Sequence, residues 1–433
     1  MKVSKQIFLM MAMGFAFFSA LFGAGNLIIP PDIGITSGNM WLPALVGFAL
    51  SGMLFPVITI IAIFRTGGTE EDIAAKVGPR FSMFLITVVM VCTGFLIIIP
   101  RTAAVTHELG VVSIFGPAPR IVTSLVFFAL VIYFALNPST VIMKLGKYFA
   151  PILIGIMLII VVKGIVSPLG SPPDLGLTQA SAFHLGFTEG YQTLDVFGGL
   201  VMSGVIIAVI ATLKLSGRAA EMKMVCVTAA VAGLGLLIIY GGLIYIAASG
   251  VDVLAGKEGS TLPIAIINAL FAGRGSAVFG ILTILACLTT AIGMATGTAS
   301  FFSRATKEKL KYKTAVILIC VMSGLFSILG VDAIIHYAEP VLLLVYPTTI
   351  ALVLLNVLPC RAYNRGTFIG VAYSTLLVGL FEAFPLMGIA DGISAWMRSV
   401  TGGLWLSDYG LAWLLPALVC GVVGTLVCKL WPT

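Results

Sequence analysis

Twelve stretches long and apolar enough to cross a bilayer follow one another along the chain, at about 7–35, 40–64, 81–106, 119–137, 141–166, 187–213, 225–249, 277–303, 314–330, 334–358, 366–386 and 409–428. A helical span needs roughly 20 apolar residues, and the alternating polar and apolar positions of a barrel strand are absent. The pattern therefore predicts an all-α integral membrane protein with 12 transmembrane helices. The first stretch is interrupted where a membrane helix should be most regular, by Phe22-Gly23-Ala24-Gly25-Asn26, with Pro30-Pro31 following. Glycine costs about 1 kcal/mol against alanine inside a helix. A backbone N–H or C=O freed in lipid costs several more unless a polar group meets it. The residues alone leave two readings: half-helices joined by unwound backbone at a midplane site, or glycines that let neighbouring helices approach closely.

The sixth stretch carries a second interruption. Thr188-Glu189-Gly190-Tyr191-Gln192-Thr193-Leu194-Asp195-Val196-Phe197-Gly198-Gly199 puts two carboxylates and a Gly-Gly pair in or at the mouth of an apolar span, where each ionisable group is costly to insert. Two breaks, each opening five spans, favour discontinuous helices 1 and 6 in a 5+5 inverted repeat. The expected organisation is a first repeat over 1–166, an extracellular loop over 167–186, a second repeat over 187–358, and helices 11 and 12 over 359–433.

Composition agrees: 60% of the 433 residues are hydrophobic and 9% charged, and the mean hydropathy is +1.14, too little polar surface for a soluble protein. Lys2 and Lys5 precede the first apolar run, but no small-residue cleavage site follows and the run is expected to be retained. Of the 24 lysines and arginines, 18 fall on the side shared by both termini, leaving Arg101, Arg120, Lys163, Lys257, Arg274 and Arg398. The positive-inside rule then puts both termini in the cytoplasm. The net charge of +7 is accounted for by that bias and by anionic membrane lipid, with no call for nucleic acid. The seven cysteines lack metal spacing and read as small packing residues. His107, His184 and His336 lie near span ends and read as interfacial. No phosphate-binding loop, zinc motif or nucleophile elbow is present. A channel would need a continuous polar stripe and a membrane enzyme a nucleophile with its base, and neither is found.

Four strings carry a specific resemblance: Phe22 to Pro31 (FGAGNLIIPP), Ile99-Pro100-Arg101-Thr102-Ala103, Glu189 to Asp195 (EGYQTLD), and Leu288-Thr289-Thr290-Ala291-Ile292-Gly293. In this order they resemble the bacterial branched-chain amino acid:cation symporter family, of the APC superfamily with the LeuT-type fold. The resemblance runs the length of the chain. It implies uptake of leucine, isoleucine and valine across the bacterial inner membrane.

The residues suit those roles. Unwound backbone at Ala24, Gly25 and Asn26 can offer N–H groups to a substrate carboxylate, aided by the dipole of the following half-helix. Carbonyls around Leu21 and a break over Val196 to Gly198 can take the ammonium, and Phe197 with residues 94–98 can surround a branched side chain. Leucine and valine differ by one methylene, worth about 0.8 kcal/mol, so a shared carrier is expected. Ala286, Thr289 and Thr290 fall at i, i+3 and i+4, which puts one carbonyl and two hydroxyls on one helix face. Carbonyls of Ser19 and Phe22 would complete about five oxygens, the geometry the superfamily resemblance implies for a sodium ion. The bland alternative is that these threonines bond back to their own helix. Glu189 and Asp195 either cap or gate a half-helix, with Arg101 a candidate partner at the outer mouth, or carry a proton in place of sodium. Glu339 and Glu382 are intramembrane without an assigned role. The expected function is a sodium-coupled symporter, with a proton-coupled carrier of the same or other small apolar amino acids as the alternative, and with no cofactor.

Overall fold

The computed structural model describes residues 3–136, 150–213, 215, 217–358, 360, 362–388 and 391–430. Their regular structure is entirely helical. In chain order the helices are α1 (Val3–Leu21), α2 (Gly25–Ser37), α3 (Trp41–Phe48), α4 (Phe55–Thr66), α5 (Pro79–Val91), α6 (Ile98–Val105), α7 (Val112–Phe115), α8 (Arg120–Ala135), α9 (Ala150–Val166), α10 (Gln179–Gln192), α11 (Asp195–Thr212), α12 (Arg218–Ser249), α13 (Leu262–Phe271), α14 (Ser276–Ala305), α15 (Tyr312–Ser327), α16 (Val331–Val357), α17 (Arg365–Ala383), α18 (Asp391–Gly402) and α19 (Leu414–Leu430). Among the described residues, seven helical runs are long and apolar enough to cross a membrane: 25–66, 79–115, 195–212, 218–249, 276–305, 331–357 and 365–387. The expected spans at 119–137 and 141–166 extend into 137–149, outside the described residues. Their described parts are α8 and α9.

Both expected breaks exist, and both are sharper than the sequence suggests. The first covers residues 22–24 only, and α2 then runs unbroken through Pro30 and Pro31 to Ser37. The second is at Thr193-Leu194, where Leu194 adopts φ 59°, and not over Val196 to Gly198, which lie in the first turn of α11. Gly198-Gly199 serves packing: a Cβ on Gly199 would sit 2.7 Å from the Pro56 carbonyl of α4. The second half-helix also starts earlier than expected, at Gln179, because Thr178 and Ser181 form a reciprocal cap there.

Runs 25–66 and 79–115 stay helical through wide π turns at 49–54, 92–96 and 106–111. Such turns free carbonyls that must be met inside a membrane. In the turn at 92–96 they are: Ser323 donates to Gly94 O at 3.1 Å and Tyr337 to Leu96 O at 2.6 Å. The half-helices α1 and α2 pack on α12, and α10 and α11 pack on α3 and α4. Helix α14 crosses the 79–115 rod and packs with α8 and α15. Helices α17 and α19 meet through glycines, with a Cβ on Gly366 or Gly370 running into the backbone of α19, the close approach small residues permit between membrane helices. The loop after α4 folds into a short turn at Glu70–Ala74, capped by Thr69 and Asp72. It lays Glu70 2.8 Å from Arg304 at the end of α14. Outward faces carry Ile121, Leu125, Ile159, Val162, Val321, Leu325, Val422 and Leu426, all exposed. Apolar surface on this scale belongs against lipid, and the protein is an integral membrane protein.

Candidate functional site

The two breaks face each other. Each puts the carbonyl end of one half-helix beside the N–H end of the next, so opposite partial charges meet in the middle of the protein. Asn26 ties the breaks together: its Nδ2 donates to Leu21 O at 2.5 Å and to both oxygens of Asp195 at 3.1 and 3.2 Å. Tyr240 of α12 donates to the same carboxylate at 3.4 Å. Arg101, carried by α6 just beyond the π turn at 92–96, reaches across to the end of α10, donating to Gln192 O at 2.6 Å and Thr193 O at 3.2 Å. In α11 the first turn presents N–H groups, not carbonyls. Asp195 N donates to Thr193 Oγ1, and Val196 N donates to the Tyr346 hydroxyl at 3.0 Å.

Between these groups lies a cavity of about 10 Å³ bordered by Leu21, Ala24, Gly25, Ile98, Arg101, Asp195, Gly198 and Met294, room for about one water. Of the residues assigned to substrate from the sequence, Leu21, Ala24, Gly25 and Gly198 border it. Asn26, Val196 and Phe197 stand behind it, Asn26 holding Asp195 and Phe197 packed on the Tyr346 ring at 4.9 Å. Ile98 borders the cavity, whereas Gly94 packs against Thr298 of α14. The Leu21 carbonyl, an expected ammonium acceptor, already accepts from Asn26.

The five residues expected around a cation lie close together, with Ser19 joining through its hydroxyl and not the expected carbonyl. Ser19 donates to Thr289 Oγ1 at 3.4 Å, Thr289 donates to Ala286 O at 2.8 Å, and Thr290 donates across to Phe22 O at 3.4 Å. Thr289 thus makes the back-bond within its own helix and Thr290 makes the bond between helices. A small cavity beside them is bordered by Ser19, Ala286 and Thr289 together with Ile152 and Ile156 of α9. An all-oxygen set of hydroxyls and carbonyls fits a hard monovalent cation once the hydroxyl hydrogens turn away. Among the described residues, no group of three or more histidine, cysteine or acidic side chains is arranged to hold a metal.

Glu189 and Arg101 form no ion pair. Glu189 lies instead within the field of Asp32 and Glu339. His107 shares a 2.9 Å hydrogen bond with Thr123, and His184 one of 3.1 Å with Asp408 O, which suits anchors near span ends. Tyr240, Tyr346 and Met294 were not foreseen. The signal was present: a tyrosine in an otherwise apolar span needs a partner for its hydroxyl, and Tyr240-Gly241-Gly242 and Tyr346-Pro347-Thr348 are such sites.

Discontinuous helices paired around a buried polar centre define the LeuT-type transporter fold. The whole chain superposes on two solved transporters of that class, each at 16% identity: Mhp1, a nucleobase-cation-symport-1 family transporter in a closed conformation with bromovinylhydantoin bound (TM-score 0.61, 98% of this chain and 93% of that one), and MhsT in complex with L-phenylalanine (TM-score 0.54, 96% and 98%). Over residues 6–430 the chain matches the branched-chain amino acid transport protein family, and it belongs to that family. It is similar to the branched-chain amino acid permease BraB of Bacillus subtilis (32% identical, 95% of this chain and 93% of the relative) and to BrnQ of Escherichia coli K12 (30%, 95% and 94%). A third relative is the branched-chain amino acid transport system 2 carrier protein of Pseudomonas aeruginosa (31%, 96% and 95%). The protein is a transporter and not an enzyme.

Proposed function

We propose that this transporter is a secondary active symporter that imports leucine, isoleucine and valine together with sodium by alternating access. It would sit in the bacterial inner membrane with both termini cytoplasmic. In this reading the chain has twelve spans: repeats over 1–166 and 187–358 that are inverted copies, joined by the extracellular segment 167–186, with 359–433 adding helices 11 and 12. Substrate enters between the breaks as the one-water cavity there widens, with Gly25 and Ala24 on its carboxylate side and Ile98, Gly198 and Met294 around its side chain. Sodium takes the oxygens of Ser19, Phe22, Ala286, Thr289 and Thr290.

The observation that carries this reading is the approach of Ser19 and Phe22 of the first break to Thr289 and Thr290 of α14. A cation there would bind one flank of the break whose other flank borders the substrate cavity. Ion and substrate would then favour the same closed arrangement, which is what coupling requires. Proton coupling remains the second reading, favoured by Asp195, an acid buried to 4% exposure at mid-protein.

Leucine uptake into proteoliposomes under an imposed sodium gradient, a proton gradient or neither decides between them. Sodium-driven accumulation in the wild type, and its loss in Thr289→Ala with leucine exchange retained, is expected. Accumulation driven by protons alone, or a variant with unaltered sodium dependence, rejects the sodium site. Absence of leucine uptake under every gradient rejects the substrate.

A further inference from the structure

We propose that Arg101 and Asp195 form a clamp for the two charges of an α-amino acid, Arg101 taking the carboxylate and Asp195 the ammonium. This deepens the substrate reading above and rests on it.

Both side chains border the cavity, and they are 2% and 4% exposed. Each lies in the other's field, yet neither is in direct contact with an opposite charge. Ion pairs among the described residues are confined to Arg120 with Glu108 and to Arg304 with Glu70 and Glu71. Arg101 donates only to the neutral carbonyls of Gln192 and Thr193, and its Nε has no partner. The Asp195 carboxylate accepts only from the neutral groups Asn26 and Tyr240. Asn26 Oδ1, on the carboxamide that holds Asp195, is likewise buried and without a partner.

A buried charge without a counter-charge is costly. Here one of each sign borders the same small cavity without pairing directly, and a zwitterion supplies a contacting partner for both at once. The unused Nε edge of the guanidinium is a planar fork suited to a carboxylate. Asp195 and the free Asn26 oxygen are acceptors for an ammonium that the occupied Leu21 carbonyl is poorly placed to receive. Gly25 belongs to the same device: a Cβ there would lie 2.6 Å from Arg101 Nη2 and 2.9 Å from Cζ, so its missing side chain is what admits the guanidinium. Leu21, Ile98 and Met294 supply apolar surface elsewhere on the cavity wall, as an aliphatic side chain needs.

The competing account makes Arg101 only a cap on the carbonyl end of α10. Ligand-induced rises in melting temperature separate the two, using purified protein in saturating sodium with three probes: leucine, 4-methylpentanoate, which lacks the ammonium, and 3-methylbutylamine, which lacks the carboxylate. The wild type should prefer leucine over either analogue by at least about 100-fold, as sites built around a charged partner do. Asp195→Asn should shrink the preference over 4-methylpentanoate to under about tenfold, and Arg101→Gln the preference over 3-methylbutylamine likewise, with Arg101→Lys recovering part of it. A variant that melts at lower temperature yet keeps the wild-type preference overturns the clamp and leaves Arg101 as a cap. Should either neutral variant fail to fold, the same ratios in Arg101→Lys and Asp195→Glu decide: unchanged preferences overturn the proposal, reduced ones support it. A wild type that binds no leucine overturns the substrate reading and the clamp with it. Leucine binding with unchanged ratios in both variants overturns the clamp alone.

Discussion

Gly25 shows how one atom can set a site. In the sequence it reads as a place where backbone approaches a ligand. In the fold its Cα lies against the Arg101 guanidinium, so the residue that needs the space is first of all a neighbouring side chain. Gly25→Ala should displace Arg101 from the Gln192 and Thr193 carbonyls, a destabilisation of about 1–3 kcal/mol for bonds to a charged group, and should weaken leucine binding by about tenfold or more. Because both effects run through Arg101, Gly25→Ala should add little in an Arg101→Ala background. A double-mutant cycle in melting temperature and leucine affinity measures this, and additive effects would count against it. Gly23 stands apart from this pair, since its Cβ would meet the Thr290 side chain at 3.1 Å, on the flank proposed for the cation.

At the scale of elements, interruptions position every group of the site. The break at 22–24 exposes N–H groups of α2, the break at Thr193-Leu194 exposes carbonyls of α10, and the π turn at 92–96 aims Arg101 between them. A further contact joins elements at the end of the molecule where Glu70 meets Arg304. Glu70 is 3% exposed, and its acid oxygen would meet a Cβ on Gly204 of α11 at 2.6 Å, so the carboxylate is wedged between α11 and α14. Burial raises its pKa above the ordinary 4.5, and Arg304 offsets part of that rise. The folded value thus lies above the unfolded one. The contribution to stability is present in full below pH 4.5 and is lost as pH climbs through the raised value. Glu70→Gln should therefore show a shallower fall in melting temperature than wild type as pH rises from 4.5, and Arg304→Ala, which removes the offset, a steeper one. Parallel curves for all three proteins would mean that Glu70 is not held in this way.

For the whole molecule, the lipid-facing apolar surface fixes the protein in a bilayer, and the proposed orientation, with both termini in the cytoplasm, rests on the distribution of lysine and arginine. Ser171 before α10 and Lys309 after α14 are both exposed, and with both termini inside, Ser171 would lie outside the cell and Lys309 inside. In a background lacking the native cysteines, a membrane-impermeant maleimide should label Ser171→Cys in intact cells and Lys309→Cys only after permeabilisation. The reverse labelling would invert the topology.

Membrane class, the existence of two interruptions and the residues flanking them were legible in the sequence, because each is a local matter. Hydrophobic length answers to bilayer thickness, and Gly-Ala-Gly-Asn or a buried Glu and Asp conflicts with a continuous apolar helix wherever it occurs. Thr289 and Thr290 of the proposed cation site could be picked out for the same reason, as oxygens at helical spacing. What each group faces was decided only by the tertiary structure. No local rule announces that Leu194, a residue disfavoured at positive φ, makes the second break, while Gly198-Gly199 stays helical because α4 packs against it. Nor does any rule announce that Arg101 seeks the end of α10 and leaves Glu189 alone, or that Asn26 occupies the Leu21 carbonyl and holds Asp195. Apart from the Asn26–Leu21 bond, these pairings join residues 90 or more positions apart along the chain. Hydrogen bonding and desolvation are settled by what surrounds a group in space, and sequence spacing carries no record of that.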